Sequence, residues 1–275
     1  METPGKAKAA ALAFGVGLLS ASVLMVELLL TRLFSVILYY HFAFLAVALA
    51  MMGLGAGGLL IYLNRHRISA KSLPASYVRL GAAMALGIVL ALAVILNLNV
   101  PARAGVQTAT RLAVLLVIAS VPFLLAGQLL SLLVWQYSAT INRIYFYDLV
   151  GAALGSLAVL PALSLVGAPN GVLIAALFAA LSALLLGWTT GAARKSLLVA
   201  ATAAAGVLFL LVSNLQGNLL DVKYAKGAST QGEFYARWNA ISRVCVHSNE
   251  QGYWILIDCD AATQVPSLDF WRGDR

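Results

Sequence analysis

Four ionisable side chains stand in stretches otherwise apolar enough for lipid: Glu27 and Arg32 in "ELLLTR", His41 in "YYHF" and Asp148 in "NRIYFYDLVGAALG". A charge at the bilayer centre costs at least about 2.5 to 3.5 kcal/mol on insertion scales, so such groups are expected to face other helices. Two carboxylates and an imidazole in a polar cavity could handle a proton or a cation. Interhelical ties and interface anchors would use the same residues. With no chain of acids and no symmetry-related broken helices, the structural reading is favoured. Five residues separate Glu27 from Arg32, about 140° around a helix, so each is expected to find its partner elsewhere.

A second set lies near the end of the sequence, in "RWNAISRV" and "WILIDCDAATQV". Trp238 offers a stacking plane, Asn239 a paired donor and acceptor, Arg243 an anion partner, and Asp258 and Asp260 carboxylates for an amine. A half-buried hairpin with polar rim groups would use the same residues, and that reading is favoured on chemistry alone. The two cysteines, Cys245 and Cys259, also fall here. A turn centred near Asn249 would set Cys245 opposite Trp254, so a disulfide needs a different register. His41, His66 and His247 are scattered, and no metal-type Cys/His spacing is present. No residue is assigned a catalytic, cofactor-binding or metal-ligating role.

"MMGLGAGG" holds Gly53, Gly55 and Gly58 in the spacing of a dinucleotide loop. That loop must follow a strand and open a helix. Within an apolar span, Gly53 and Gly57 are instead expected to let another helix approach, and Gly151 and Gly155 in "GAALG" repeat the signal.

The elements that must position these residues are membrane helices. The chain is 62% hydrophobic and 10% charged, against about 25% charged for soluble domains. Stretches long enough to cross a bilayer fall at about 10–33, 36–63, 77–97, 111–135, 146–165, 170–188 and 196–213. Pro122 and Pro161 lie inside spans, where kinks are expected. The first span follows a basic start and is too long for a cleavable signal, so it is read as retained. Residues 1–213, the helical domain, hold twelve Lys/Arg and three Asp/Glu; residues 214–275 hold six and seven. The net charge of +8 therefore belongs to membrane loops and not to a nucleic-acid-binding face.

In alternate connections, Lys6, Lys8, Arg65, Arg67, Lys71, Arg79, Arg143, Arg194 and Lys195 fall on one side; Arg32, Arg103 and Arg111 fall on the other. The positive-inside rule puts the amino terminus in the cytoplasm, at the inner (plasma) membrane. Seven crossings would leave the tail outside. Either one apolar stretch does not cross or the tail is external, and the sequence leaves both open.

From residue 214 onward "EFYARW", "AISRVCV" and "YWILID" have strand length and composition, with "HSNEQG" as a turn. Some sixty residues with three short strands bury little core alone. The expected architecture is an all-α multi-pass membrane bundle of about seven spans, followed at 214–275 by a small antiparallel β segment that wants a partner.

Together, "ELLLTRLFSVILYYHFAFLAVALAMMGLGAGGLL", "YDLVGAALGS" and "RWNAISRV...ILIDCDAAT" resemble the membrane-anchored relatives of spermidine synthase, over nearly the whole chain. The resemblance implies a multi-span bundle leading into a polyamine aminopropyltransferase-like unit, whose small sheet precedes a methyltransferase-like α/β domain. In catalytic members that domain holds decarboxylated S-adenosylmethionine and a catalytic acid. By the same resemblance Asp258 falls near the "LDG" segment that introduces the substrate site. Cys259 stands in place of its glycine, and Ala262 where a glutamine is expected, with Gln264 close by.

Aminopropyl transfer needs a placed base and an amine aligned with the carbon beside a sulfonium. The sequence as far as "SLDFWRGDR" contains neither the Gly-rich cofactor loop nor the later acids. The expectation is a truncated or split protein, not a complete enzyme by itself and without a cofactor site of its own. Its expected partners are the lipid bilayer and a methyltransferase-like α/β domain. The alternatives are a transporter or permease subunit that uses Glu27 and Asp148 for a cationic solute such as a polyamine, and a purely structural scaffold.

Overall fold

The computed structural model describes residues 6–101, 103, 105–249 and 252–266. Six helices form the bundle: α1 (Lys6–Ile37), α2 (Ala43–Leu63), α3 (Leu73–Asn97), α4 (Val106–Gln136), α5 (Ile141–Thr190) and α6 (Arg194–Gly217). All six are long and apolar enough to cross a membrane. In hydrocarbon a helix is favoured because it satisfies its backbone polar groups internally. The ends carry local stop and start chemistry: Pro74 sits in the first turn of α3, and Asn218 ends α6 in the left-handed region at φ 47°.

α5 is two rods. Gly167, at φ 80° and ψ 167°, leaves the helical region, and the chain reverses there. The reversal is visible along α1. The first half runs parallel to it, Gly151 meeting Gly17 and Gly155 meeting Ala21. The second half runs back: Gly171 meets Leu29, the Ser22 hydroxyl donates to Ala175 O at 2.7 Å, and the Ser182 hydroxyl donates to Gly15 O at 2.6 Å. The molecule therefore has about seven crossings, as hydropathy suggests. The break expected across "VGAPNG" shrinks to Gly167, because Pro169 fits the first turn of the second half. The span expected to begin at residue 36 likewise starts at Ala43, after one 3-10 turn at Tyr40–Phe42. Pro122 and Pro161 both lie inside continuing helix.

Small residues set the closest approaches. A Cβ on Gly57 would lie 2.2 Å from Leu124 O, and one on Gly127 would lie 2.3 Å from Leu54 O, so α2 and α4 touch backbone to backbone. Gly55 meets nothing within 4 Å. The working spacing is thus Gly53 with Gly57, the helix-packing one.

After α6, which runs to Gly217 and so past the boundary expected at 213, the chain forms β1 (Tyr224–Ala225) and β2 (Ala228–Ser229). An antiparallel meander follows: β3 (Glu233–Trp238), β4 (Arg243–Asn249), β5 (Gly252–Ile257) and β6 (Ala261–Pro266). The second strand expected from Ala240 begins at Arg243, because the Asn239 carboxamide oxygen accepts from Ile241 N at 2.8 Å and Ser242 N at 2.7 Å and closes a turn. Asn249 pairs with Gly252, and the connection between β4 and β5 lies outside the described residues. This register sets Cys245 opposite Leu256 and His247 opposite Trp254, correcting the expected pairing of Cys245 with Trp254. Neither the short β1–β2 pair nor β6 is among the three expected strands.

The tail docks on one end of the bundle. Lys226 N donates to Ile37 O at 2.7 Å, Lys223 Nζ donates to Asn97 Oδ1 at 2.8 Å, and Trp238 lies against Gly167. The connections at 64–72, 137–140 and 191–193 lie at the other end.

Candidate functional site where the sheet meets the bundle

The four intramembrane candidates go to different places. Asp148, on the first half of α5, accepts a short hydrogen bond from the Ser20 hydroxyl of α1. Glu27 lies seven residues, about 10 Å, further along α1 and is only partly buried. Arg32 Nη1 reaches out of the bundle to donate to Ile241 O at 3.0 Å, tying α1 to the β3–β4 turn. His41 sits in the Tyr40–Phe42 turn, its ring parallel to Tyr39 with centroids 5.6 Å apart. No ion pair links any of the four among the described residues.

The tail is organised by strand alternation. Arg243, Cys245 and His247 are two residues apart on β4 and share one face. Opposite them stand Trp238, Ala236 and Glu233 of β3. Arg243 and Cys245 are buried, at 2% and 0% exposure. The Arg243 guanidinium donates to both oxygens of Glu233, at 2.9 and 2.6 Å. Burial alone would make Arg243 easier to deprotonate, but the hydrogen bonds and charge of Glu233 outweigh it and raise its pKa. Arg243 is thus an anion partner, and the anion is the sheet's own carboxylate.

Asp258 and Cys259 turn the chain from β5 to β6 with left-handed backbone at φ 51° and 54°. One Asp258 carboxylate oxygen accepts from Arg243 N at 2.8 Å, and its carbonyl accepts from Lys226 Nζ at 2.8 Å. Lys226 also pairs with Asp260 at 3.2 Å. This turn brings Cys259 Sγ to 4.0 Å from Cys245 Sγ and 3.6 Å from Arg243 Nη1. On the same face one donor atom each from Glu233, Cys245 and His247 lie within 4.8 Å of one another, a grouping of metal-ligating types that the sequence spacing did not anticipate. The signal was present as Arg-x-Cys-x-His on one strand.

A cleft of about 210 Å³ opens between sheet and bundle, lined by Gly167, Asn170, Asn214, Asp221, Trp238 and Arg243 among others. Of the tail candidates Trp238, Asn239, Arg243, Asp258 and Asp260 it brings together Trp238 and Arg243. Asn239 and Asp258 spend polar atoms on turns. Asn170 and Asn214 went unnoticed in the sequence, where each sits at the edge of an apolar run. Both are buried, and Asn214 Nδ2 donates to Asn170 Oδ1 at 2.8 Å, joining α6 to the start of the second half of α5.

Among the described residues the opposite face of the meander is open and largely apolar, with Arg237, Ser248 and Thr263 interspersed. Tyr235, Tyr253, Ile255, Ile257 and Val265 are all exposed there, and Phe234 leans on Tyr253 with ring centroids 6.2 Å apart. Compared with protein-family models, curated proteins and solved structures, the chain matches none.

Proposed function

We propose that this chain is the membrane module of a spermidine synthase-like protein. The bundle anchors it, and the sheet receives a methyltransferase-like α/β domain, in the same or another chain. That domain would bring the decarboxylated S-adenosylmethionine site and the catalytic acid. The observation that carries the reading is the open, largely apolar face of β4 and β5: Tyr253, Ile255 and Ile257 alternate outward with no cover among the described residues, as a sheet awaiting a second layer does.

The nine basic residues at the bundle's other end support, by the positive-inside rule, a cytoplasmic amino terminus at an inner membrane, and with it a sheet on the opposite side. A nucleotide-type cofactor is ordinarily supplied from the cytoplasm. The module reading accordingly requires the covering domain; it does not require that aminopropyl transfer be its reaction.

The test is to read the DNA adjoining this coding sequence for a methyltransferase-like α/β domain and to co-express that domain with the chain, followed by co-purification in detergent. The expected result is a complex that Ile255→Glu disrupts while leaving the bundle intact. Absence of such a domain, or a complex indifferent to Ile255→Glu, overturns the reading. The alternative of a transporter for a cationic solute such as a polyamine draws on Glu27, which lacks a hydrogen-bond or ion-pair partner among the described residues. Polyamine flux in proteoliposomes, abolished by Glu27→Gln or Asp148→Asn, would favour it.

A further inference from the structure

The buried face of the sheet holds two cysteines that the proposed function leaves without a role. Cys245 is fixed in the middle of β4 by pairing on both sides, to Ala236 and to Leu256. Cys259 is fixed by a turn whose first residue, Asp258, is bonded to the backbone of Arg243 in both directions, each at 2.8 Å. The two sulfurs end 4.0 Å apart. Bond formation at about 2.05 Å requires side-chain rotation and a small shift of one turn, not a new strand register.

We propose that Cys245 and Cys259 are a redox-modification site, forming a reversible disulfide that locks the β5–β6 turn onto β4 beside the Arg243–Glu233 pair. The surroundings give the two thiols different parts. Cys245 is fully buried, whereas Cys259 is partly exposed. The hydrogen bond from Cys245, with the Arg243 charge, outweighs burial and the nearby Glu233 carboxylate and lowers the Cys259 pKa to about 7; the Cys245 thiol is pushed up. Cys259 is therefore the attacking sulfur and Cys245 the resolving one.

The oxidant is a disulfide, of low molecular weight or carried by an oxidoreductase. The Cys259 thiolate attacks one of its sulfurs, breaks the S–S bond and expels a thiolate. Cys245 gives its proton to that thiolate, attacks Cys259 Sγ and expels the second thiolate. One external disulfide is reduced to two thiols while two protein thiols are oxidised. The geometry stands whichever side the sheet occupies. Persistence of the bond in the cell rests on the orientation proposed above, since disulfides survive in extracytoplasmic compartments and not in the cytosol.

The experiment uses the full chain in detergent, equilibrated with glutathione buffers of increasing oxidised fraction and then treated with a maleimide polymer that shifts the gel band once per free thiol. Under denaturing conditions two shifts are expected for reduced protein and none after oxidation. Cys245→Ser is expected to trap one glutathione on Cys259, and Cys259→Ser to leave Cys245 unmodified. The same assay on membranes alkylated at harvest reads the cellular state: a reduced pair there, with ready oxidation in detergent, would keep the site and overturn the orientation. Two free thiols persisting through the oxidised buffers would overturn the site. So would protection lifted by a chelator and not by a reductant, which would assign Cys245 with Glu233 and His247 to a metal ion.

Discussion

Arg243 and Glu233 show how much of the tail depends on one contact. With side chains 2% and 7% exposed, neither charge has water to fall back on, and each is satisfied chiefly by the other. Removing one partner of a buried pair strands the other, at a cost of about 3 to 5 kcal/mol. Glu233→Gln is therefore expected to destabilise the sheet by that amount, read as earlier denaturant unfolding followed by tryptophan fluorescence. The same guanidinium, after the hydrogen bond from Cys245, helps to set a reactivity. Because the Cys259 pKa is lowered to about 7, its thiolate dominates above that pH, and its alkylation rate in the reduced protein should rise through a midpoint there. Cys245, Arg243 and Glu233 are the groups facing it; Arg243→Met removes the attractive charge and should move the midpoint upward. Residue identities announced only part of this. Trp238, Asn239, Arg243 and Asp258 were all visible as polar or aromatic groups in a β segment. Their duties depend on partners that strand pairing supplies, and Glu233 gave no hint of Arg243 ten positions away.

Helices were far more legible than strands. Seven apolar stretches stand out because each must be long enough to cross hydrocarbon, and length and composition survive any error in detail. Strand register has no such redundancy. A shift of two residues in the β4–β5 pairing carries Cys245 from Trp254 to Leu256, and the thiol pair comes into view only then. β6 escaped because "AATQVP" has weak strand character and gains its order from β5. Among the helices, the glycine contacts separate two readings of one motif. Gly57→Leu drives a side chain into the α4 backbone and should cost about 1 to 3 kcal/mol or prevent assembly, whereas Gly55→Ala, on the open surface, should change stability by less than about 0.5 kcal/mol. Thermal unfolding of the two variants in detergent checks the contrast; equal losses would return all three glycines of the dinucleotide-like spacing to consideration.

Whether the sheet lies on the same side of the membrane as the amino terminus is decided by parity, and parity is decided at Gly167. A straight helix over all 50 residues of α5 would be about 75 Å long, more than twice the roughly 30 Å of hydrocarbon it must cross. Folding at Gly167 divides it into two rods of crossing length and adds one passage, which sends the sheet to the end opposite the basic connections. Trp238 fills the space beside that glycine, where a Cβ would come within 2.9 Å of its ring, so the fold of the hairpin and the seating of the sheet share one point. Two exposed serines report on the outcome: Ser69, among the basic residues after α2, and Ser229, on β2. In a chain with both native cysteines replaced by serine, Ser229→Cys should react with a membrane-impermeant maleimide on cells whose inner membrane is intact, and Ser69→Cys only after that membrane is opened. The reverse pattern would put the sheet in the cytoplasm, in reach of a nucleotide-type cofactor and under reducing conditions. Persistence of the disulfide and the bar to cofactor supply would then fall together, since both follow from the proposed cytoplasmic amino terminus with the sheet at the opposite end.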